Sequence, residues 1–151
     1  MFSIPSIKKK LQSGERLNGC FIEMFSPIAA EIVALSGYHS VLIDLEHGPG
    51  SYTEAISILQ AVNQHRCPAI IRSTSAVSGD IKRSLDIGPQ GIMVPMVNSA
   101  KEAIDVVRDC LYAPVGRRSS AKPIIRATRY GNSADDYERY MAEYFLLIVQ
   151  I

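Results

Sequence analysis

The sequence predicts an α/β fold built on a parallel sheet of about five strands, and three observations carry that prediction. Apolar β-rich runs alternate with helix-period runs from about Leu17 onward, the mark of successive βα units. The strand bodies are nearly continuous in apolar residues, as strands covered on both faces are. Polar and charged residues gather at the ends of those runs, where a parallel array places its functional rim.

The elements follow in order. Gly19 to Met24 reads as the first strand, followed by a helix over 27–36 with Ser26 as N-cap, Pro27 at the first helical position and Gly37 at the stop. Val41 to Leu45 is the second strand, and residues 52–64 form a helix whose apolar positions 55, 56, 58, 59 and 62 make one broad face. Ala69 to Arg72 is the third strand, trailed by a short helix over 80–87 that Gly88 ends. Gly91 to Pro95 is the fourth. Ser99-Ala100-Lys101-Glu102 then reads as a capping box, opening a helix with Ala100, Ala103, Ile104, Val107, Cys110 and Leu111 on one face. A long Arg-, Ser- and Pro-rich connection over 113–132 precedes a helix marked by Tyr137, Tyr140, Met141 and Tyr144. Phe145 to Ile151 is the fifth strand. Its apolar run suits a strand covered on both faces and suits a sheet edge badly, so the sequence reads as cut inside a larger fold.

Composition narrows the function classes. The 151 residues carry 16 Lys+Arg against 15 Asp+Glu, and the resulting net charge of +1 argues against a nucleic-acid or acidic-membrane partner. At 47% hydrophobic and 21% charged, the chain can build its own core. Cys20, Cys67 and Cys110 are odd in number, widely spaced and without a C-x-x-C, which indicates neither a disulfide framework nor a zinc site and fits a reducing compartment. The stretch from Met1 through Lys8-Lys9-Lys10 lacks the apolar run of a signal peptide or membrane span, so a cytoplasmic location is expected. No G-x-G-x-x-G or P-loop spacing supports nucleotide binding.

The rim of a parallel array can be read directly from the strand ends. Glu23, Asp44 with Glu46 and His47, Arg72, Pro95 and Gln150 stand there. In Asp44-Leu45-Glu46-His47-Gly48-Pro49-Gly50 the two carboxylates point to the same side of an extended chain, and His47 sits where the strand breaks into a Gly/Pro turn. A carboxylate beside an imidazole fixes its tautomer and raises its basicity, as a general base near neutral pH requires. Arg72 can hold a carboxylate bidentately and stabilise an enolate oxygen. The structural alternative stays open at this point: Asp44 capping a loop, His47 an exposed turn residue, Arg72 paired with Asp44 for stability.

These residues resemble a family. Asp44-x-Glu46-His47 after a strand, Pro68-Ala-Ile-Ile-Arg72 after the next, Val94-Pro95-Met96-Val97, Tyr112-Ala-Pro114-x-Gly116-x-Arg118, Arg126-Ala127-x-Arg129 and Val149-Gln150-Ile151 look like the HpcH/HpaI aldolases, in order and almost without gaps. The resemblance implies a (β/α)8 TIM barrel, of which residues 1–151 would be the N-terminal part, about five-eighths. It also implies a class II pyruvate-type aldolase that cleaves or forms 4-hydroxy-2-oxoacids such as 2,4-dihydroxyhept-2-ene-1,7-dioate. His47 would be the general acid/base, acting through a metal-bound water, with Asp44 as its orienting partner. Arg72 would bind the pyruvate moiety and its enolate, Gln150 would lie close by, and Glu46 would stand in the outer shell of a divalent metal such as Mg, Mn or Co. The family's direct metal ligands are expected after Ile151. A homo-oligomer is expected of the complete enzyme, and a marginal or self-associating chain of the open barrel. One difference is that Ser119-Ser120-Ala121 stands where the family has a glycine-rich stretch.

Other motifs read as structure. His39 and His65 fall in polar turns and are expected to be solvated, Tyr137, Tyr140 and Tyr144 form a packing stripe, and Arg117, Arg118, Arg126 and Arg129 make a basic patch suited to an anion or a subunit contact. Two functions from different classes remain: a metal-dependent carbon–carbon lyase, and a truncated non-catalytic barrel that at most binds full-length relatives.

Overall fold

The protein is described by a computed structural model covering residues 4–151, so Met1 to Ser3, the start of the stretch read for a leader, lie outside it. Five parallel strands, β1 (Gly19–Ile22), β2 (Ser40–Asp44), β3 (Ala69–Arg72), β4 (Gly91–Val94) and β5 (Leu146–Val149), pair in the order β1-β2-β3-β4-β5. Each new strand adds beside the last with no reversal of direction along the sheet. That progression belongs to a barrel wall, whereas a doubly wound sheet reverses at a switch point.

Helices cover one face of the sheet. They are α2 (Pro27–Leu35), α3 (Tyr52–Gln64), α4 (Ser78–Asp86), α5 (Ala100–Cys110) and α6 (Ala134–Glu143). Between them and the strands lie two buried clusters, one around Ile43, Ile58, Leu59 and Ile71, the other around Ile81, Leu85, Ile92 and Tyr137. The opposite face carries Leu42, Ile70, Met93, Leu146 and Ile148, which a closed barrel would enclose. Strand alternation therefore assigns every second residue to that inner face, ending with Asp44 and Arg72 at the carboxyl ends.

A further helix, α1 (Ile7–Gln12), has no counterpart in the sequence reading. It is only six residues long, too short to show a period, and begins where Ser6 accepts the Lys9 amide. Its purpose is Ile7, buried with Leu42 and Ile70 against the inner face.

The remaining elements fall close to expectation, with four differences. The short fourth helix starts earlier, at Ser78, and the fifth strand is shorter, although Gln150 still donates to the Val94 carbonyl at 2.9 Å. At α5, Ser99 accepts the Glu102 amide but the Glu102 carboxylate bonds Asn98; the complete capping box belongs to Ser51 and Glu54 at α3. The inward face of α5 is also rotated. Val106, Asp109 and Cys110 are buried, while Ile104 and Val107 are 54% and 43% exposed. Arg117 draws Asp109 inward by two hydrogen bonds of 2.6 and 3.0 Å, and Val107 turns to a cavity of about 500 Å³ shared with α6.

The isolated readings of histidine and arginine change as well. His65 lies 2.9 Å from Glu31, and His39 accepts the Asn18 amide at 3.0 Å, so both tie elements together. Arg118 is no surface cation. Its side chain is fully buried, bonded to Asp86 at 2.6 Å and the Tyr137 hydroxyl at 2.9 Å, with its guanidinium 4.7 Å from the Tyr112 ring centroid. Tyr137 and Tyr140 are buried, as a packing stripe requires, whereas Tyr144 is exposed and stacks on Tyr140 from outside. Among the described residues no helix is long and apolar enough to cross a membrane.

Candidate active site

Register brings the site together. Asp44 is the Cα partner of Arg72 across β2 and β3, and Arg72 that of Met93 across β3 and β4, so the two charged side chains leave adjacent strands on the same face at the same height. Asp44 is fully buried and Arg72 nearly so. Two parallel hydrogen bonds join them, Arg72 Nε to Asp44 Oδ1 at 2.8 Å and Nη2 to Oδ2 at 2.5 Å.

Asp44 holds more than the guanidinium. Its Oδ1 also accepts the backbone amides of Glu46 at 3.1 Å and His47 at 3.3 Å, which turns the chain sharply as it leaves β2. The Arg72 hydrogen bonds hold the Asp44 carboxyl below its ordinary range; burial opposes them and the two amides assist. Asp44 therefore orients His47 through its main chain. The carboxylate nearest the ring is that of Glu46, with Nε2 to Oε1 at 3.7 Å.

Glu46 completes the cluster. Its Oε2 stands 3.0 Å from Arg72 Nη1, yet among the described residues this buried oxygen receives no hydrogen bond. Gln150, beyond the end of β5, accepts from Arg72 Nη1 at 3.3 Å. Three of the five guanidinium hydrogens are taken by Asp44 and Gln150, which leaves one on Nη1, beside Glu46, and one on Nη2 for a ligand. His47 is the accessible member, its side chain 72% exposed against 11% for Arg72 and 13% for Glu46. One buried carboxylate and two partly buried acceptors around one cation thus sit beneath one exposed imidazole.

The model of the HpcH/HpaI aldolase/citrate lyase family matches residues 17–151. The chain belongs to this family. It is 40% identical over 147 residues to a hydroxypyruvate/pyruvate aldolase of Delftia acidovorans, covering 95% of this chain and 53% of that one. It is 35% identical over 144 residues to a 2-keto-3-deoxy-L-rhamnonate aldolase of Salmonella paratyphi B, covering 95% and 54%. Among solved structures, an HpcH/HpaI aldolase/citrate lyase family protein of Burkholderia cenocepacia superposes with a TM-score of 0.87 at 29% identity, covering 96% of this chain and 58% of that one. The citrate synthase SbnG superposes at 0.81 and 29% identity, covering 97% and 55%. The chain spans about half the length of the relatives it matches.

For this HpcH/HpaI chain, all five residues singled out from the sequence lie in one cluster. Phe21 was missed. Its ring lies 5.5 Å from Arg72 Cζ and it is 50% exposed on the inner face. Alternation along β1 could have found it, because Phe21 and Glu23 share a face. The cavity of about 500 Å³ lies elsewhere, among Val107, Leu111, Met141 and Phe145, and has no part in the site.

Family members of the aldolase type use a divalent metal, and the donors present fit only part of such a centre. Among the described residues no three His, Cys, Asp or Glu side chains form a group able to hold an ion. Asp44 has both oxygens committed to Arg72, whereas Glu46 Oε2, ion-paired with Arg72 but without a hydrogen bond, suits a contact through water.

Proposed function

We propose that this chain is the N-terminal part of a (β/α)8 pyruvate-type aldolase that cleaves or forms 4-hydroxy-2-oxoacids. The observation that carries the reading is the Asp44–Arg72–Glu46–Gln150 cluster at the carboxyl rim of a parallel sheet, with His47 exposed directly above it. The names of the relatives support the same class of chemistry.

In the cleavage direction, His47 accepts the proton of the substrate's 4-hydroxyl group. The C3–C4 bond breaks, an aldehyde leaves, and the electron pair moves into the enolate of pyruvate. Arg72, held rigid by Asp44, donates to the enolate oxygen through an Nη hydrogen that neither Asp44 nor Gln150 uses. The enolate then takes a proton at C3 to give pyruvate. Because Asp44 fixes the guanidinium before substrate arrives, little reorganisation accompanies the charge that develops. A divalent cation, held by carboxylates of the complete enzyme with Glu46 in its outer shell, would supply electron withdrawal from the 2-oxo group.

The test is proton exchange at the pyruvate methyl group in D2O, followed by NMR on the protein at its natural length. His47→Ala and Arg72→Ala should each remove exchange. Exchange that persists at the original rate in both variants would overturn the assignment. The second reading, a non-catalytic fragment, draws on the exposed Ile28, Ile32 and Leu35 of α2 and predicts no exchange even without substitution.

A further inference from the structure

The turn that carries His47 is pinned at both ends. At its start Asp44 accepts the Glu46 and His47 amides, and at its end Ser51 and Glu54 cap α3. Between them lie Gly48 and Gly50, and neither has the positive φ that ordinarily explains a glycine. Their φ values do not call for glycine, and the space around them does.

What fills that space is Phe25. A Cβ on Gly50 would fall 1.9 Å from Phe25 Cδ1 and 2.1 Å from its Cγ, and a Cβ on Gly48 would fall 2.5 Å from Phe25 Cε2 and 2.2 Å from the Asp44 carbonyl oxygen. The ring has nowhere to retreat, being 7% exposed and packed in the cluster that includes Ile22, Leu45 and Ala55. Phe25 itself adopts φ +49, an uncommon backbone for an aromatic residue. That conformation directly follows β1 and tips the ring beneath the neighbouring turn.

We infer that Phe25 is a positioning residue: its ring is the floor on which the 46–50 turn rests, and it sets the height of His47 over Arg72. The inference rests on the proposed role of His47 as the acid/base. An uncharged side chain buried in the adjacent loop touches no reacting atom, so it acts only through the turn it supports.

The experiment has a geometric arm and a catalytic arm. In the 151-residue chain, amide hydrogen exchange is compared at Glu46 and His47 and at the sheet residues Ile43 and Ile71. Phe25→Leu should speed exchange at least tenfold at the first pair and less than twofold at the second; Phe25→Met replaces it if the leucine variant does not fold. Equal acceleration everywhere, or none at the turn, would overturn the inference. Gly50→Ala should free the same two amides, and in a Phe25→Ala background it should add less than a further twofold. A full effect of Gly50→Ala in both backgrounds would also overturn it.

In the natural-length protein, Phe25→Leu should lower kcat for pyruvate proton exchange about tenfold with KM within twofold. An unchanged kcat, where His47→Ala abolishes exchange, would overturn the positioning role. If His47→Ala itself leaves exchange intact, the reading of His47 has failed, and the amide measurements still decide separately whether Phe25 supports the turn.

Discussion

Arg72 and Asp44 are register partners on neighbouring strands, and their buried side chains close a fork of two hydrogen bonds. Everything else at the rim is hung from that pair. The same Asp44 oxygen turns the chain toward His47, and the same guanidinium reaches Glu46 and Gln150.

Removing one partner should therefore cost more than one contact. Asp44→Ala leaves Arg72 charged and nearly buried with its fork unfilled, and leaves two amides without their acceptor, so a loss of about 3–5 kcal/mol is expected. Asp44→Asn keeps the shape and one good acceptor and should cost less. Urea unfolding of the two variants against the parent checks the order.

The same pair fixes an acid limit. Because Arg72 holds the Asp44 carboxyl below its ordinary value, and Arg117 does the same for Asp109, the folded state keeps these groups ionised to lower pH than the unfolded state does. Their contribution is fully present above the unfolded value of about 4 and is lost as pH falls through the lower folded values. Urea midpoints should thus drop progressively as pH falls below about 4. The drop should be shallower in Asp44→Asn, and an identical slope would show that Asp44 is not a source of it.

Arg72→Lys tests geometry at constant charge. An ammonium group cannot span both Asp44 oxygens and Gln150 together. In the natural-length protein we expect pyruvate proton exchange to fall by about a hundredfold or more, with the fold retained by circular dichroism. Exchange within a few-fold of the parent would mean that charge alone suffices.

Much of this was legible in the sequence, for a physical reason. Asp44 and Arg72 each end an apolar run, and in a parallel array the ends of adjacent runs must meet. Glu46 meets Arg72 from the turn that follows β2, which Asp44 Oδ1 holds by accepting the Glu46 and His47 amides. What was not legible depends on three-dimensional packing: α1 is too short to show a period, Asp109 is buried with Arg117 and Ser78 bonded to it, and Arg118 reads as a surface cation until Tyr112, Tyr137 and Asp86 enclose it. Phe25 was hidden for a further reason. Its relation to Gly48 and Gly50 depends on a positive φ in a loop, which no hydrophobic pattern records.

Arg118 offers a test of structure away from the site. Its buried side chain links α4, through Asp86, to α6, through Tyr137. Arg118→Ala should destabilise the fold by about 3 kcal/mol, and Arg118→Lys should recover only part of that because one ammonium cannot serve both partners. Hydrogen exchange should show the loss concentrated in α4 and α6, with β2 and β3 less affected.

The alkaline side is governed by buried protonated groups. Burial pushes the Cys110 thiol and the Tyr112 phenol up to about 12, and raises Cys67, Tyr137 and Tyr140 as well. In the unfolded chain a thiol ionises near 8.5 and a tyrosine near 10. The unfolded state therefore releases protons first, so stability is fully present below about pH 8.5 and falls as pH rises toward the folded values. Cys110→Ala should remove part of the earliest decline, between about pH 9 and 10, and leave the later tyrosine portion in place. The same burial predicts thiol reactivity, since attack requires an accessible thiolate. Cys20 is half-buried on the edge strand β1, whereas Cys67 and Cys110 are 5% and 3% exposed. A thiol reagent at pH 8 should label Cys20 quickly and the other two at the rate of opening. Rapid labelling of all three in the native protein would show that the helix-side core opens far more readily than its packing implies.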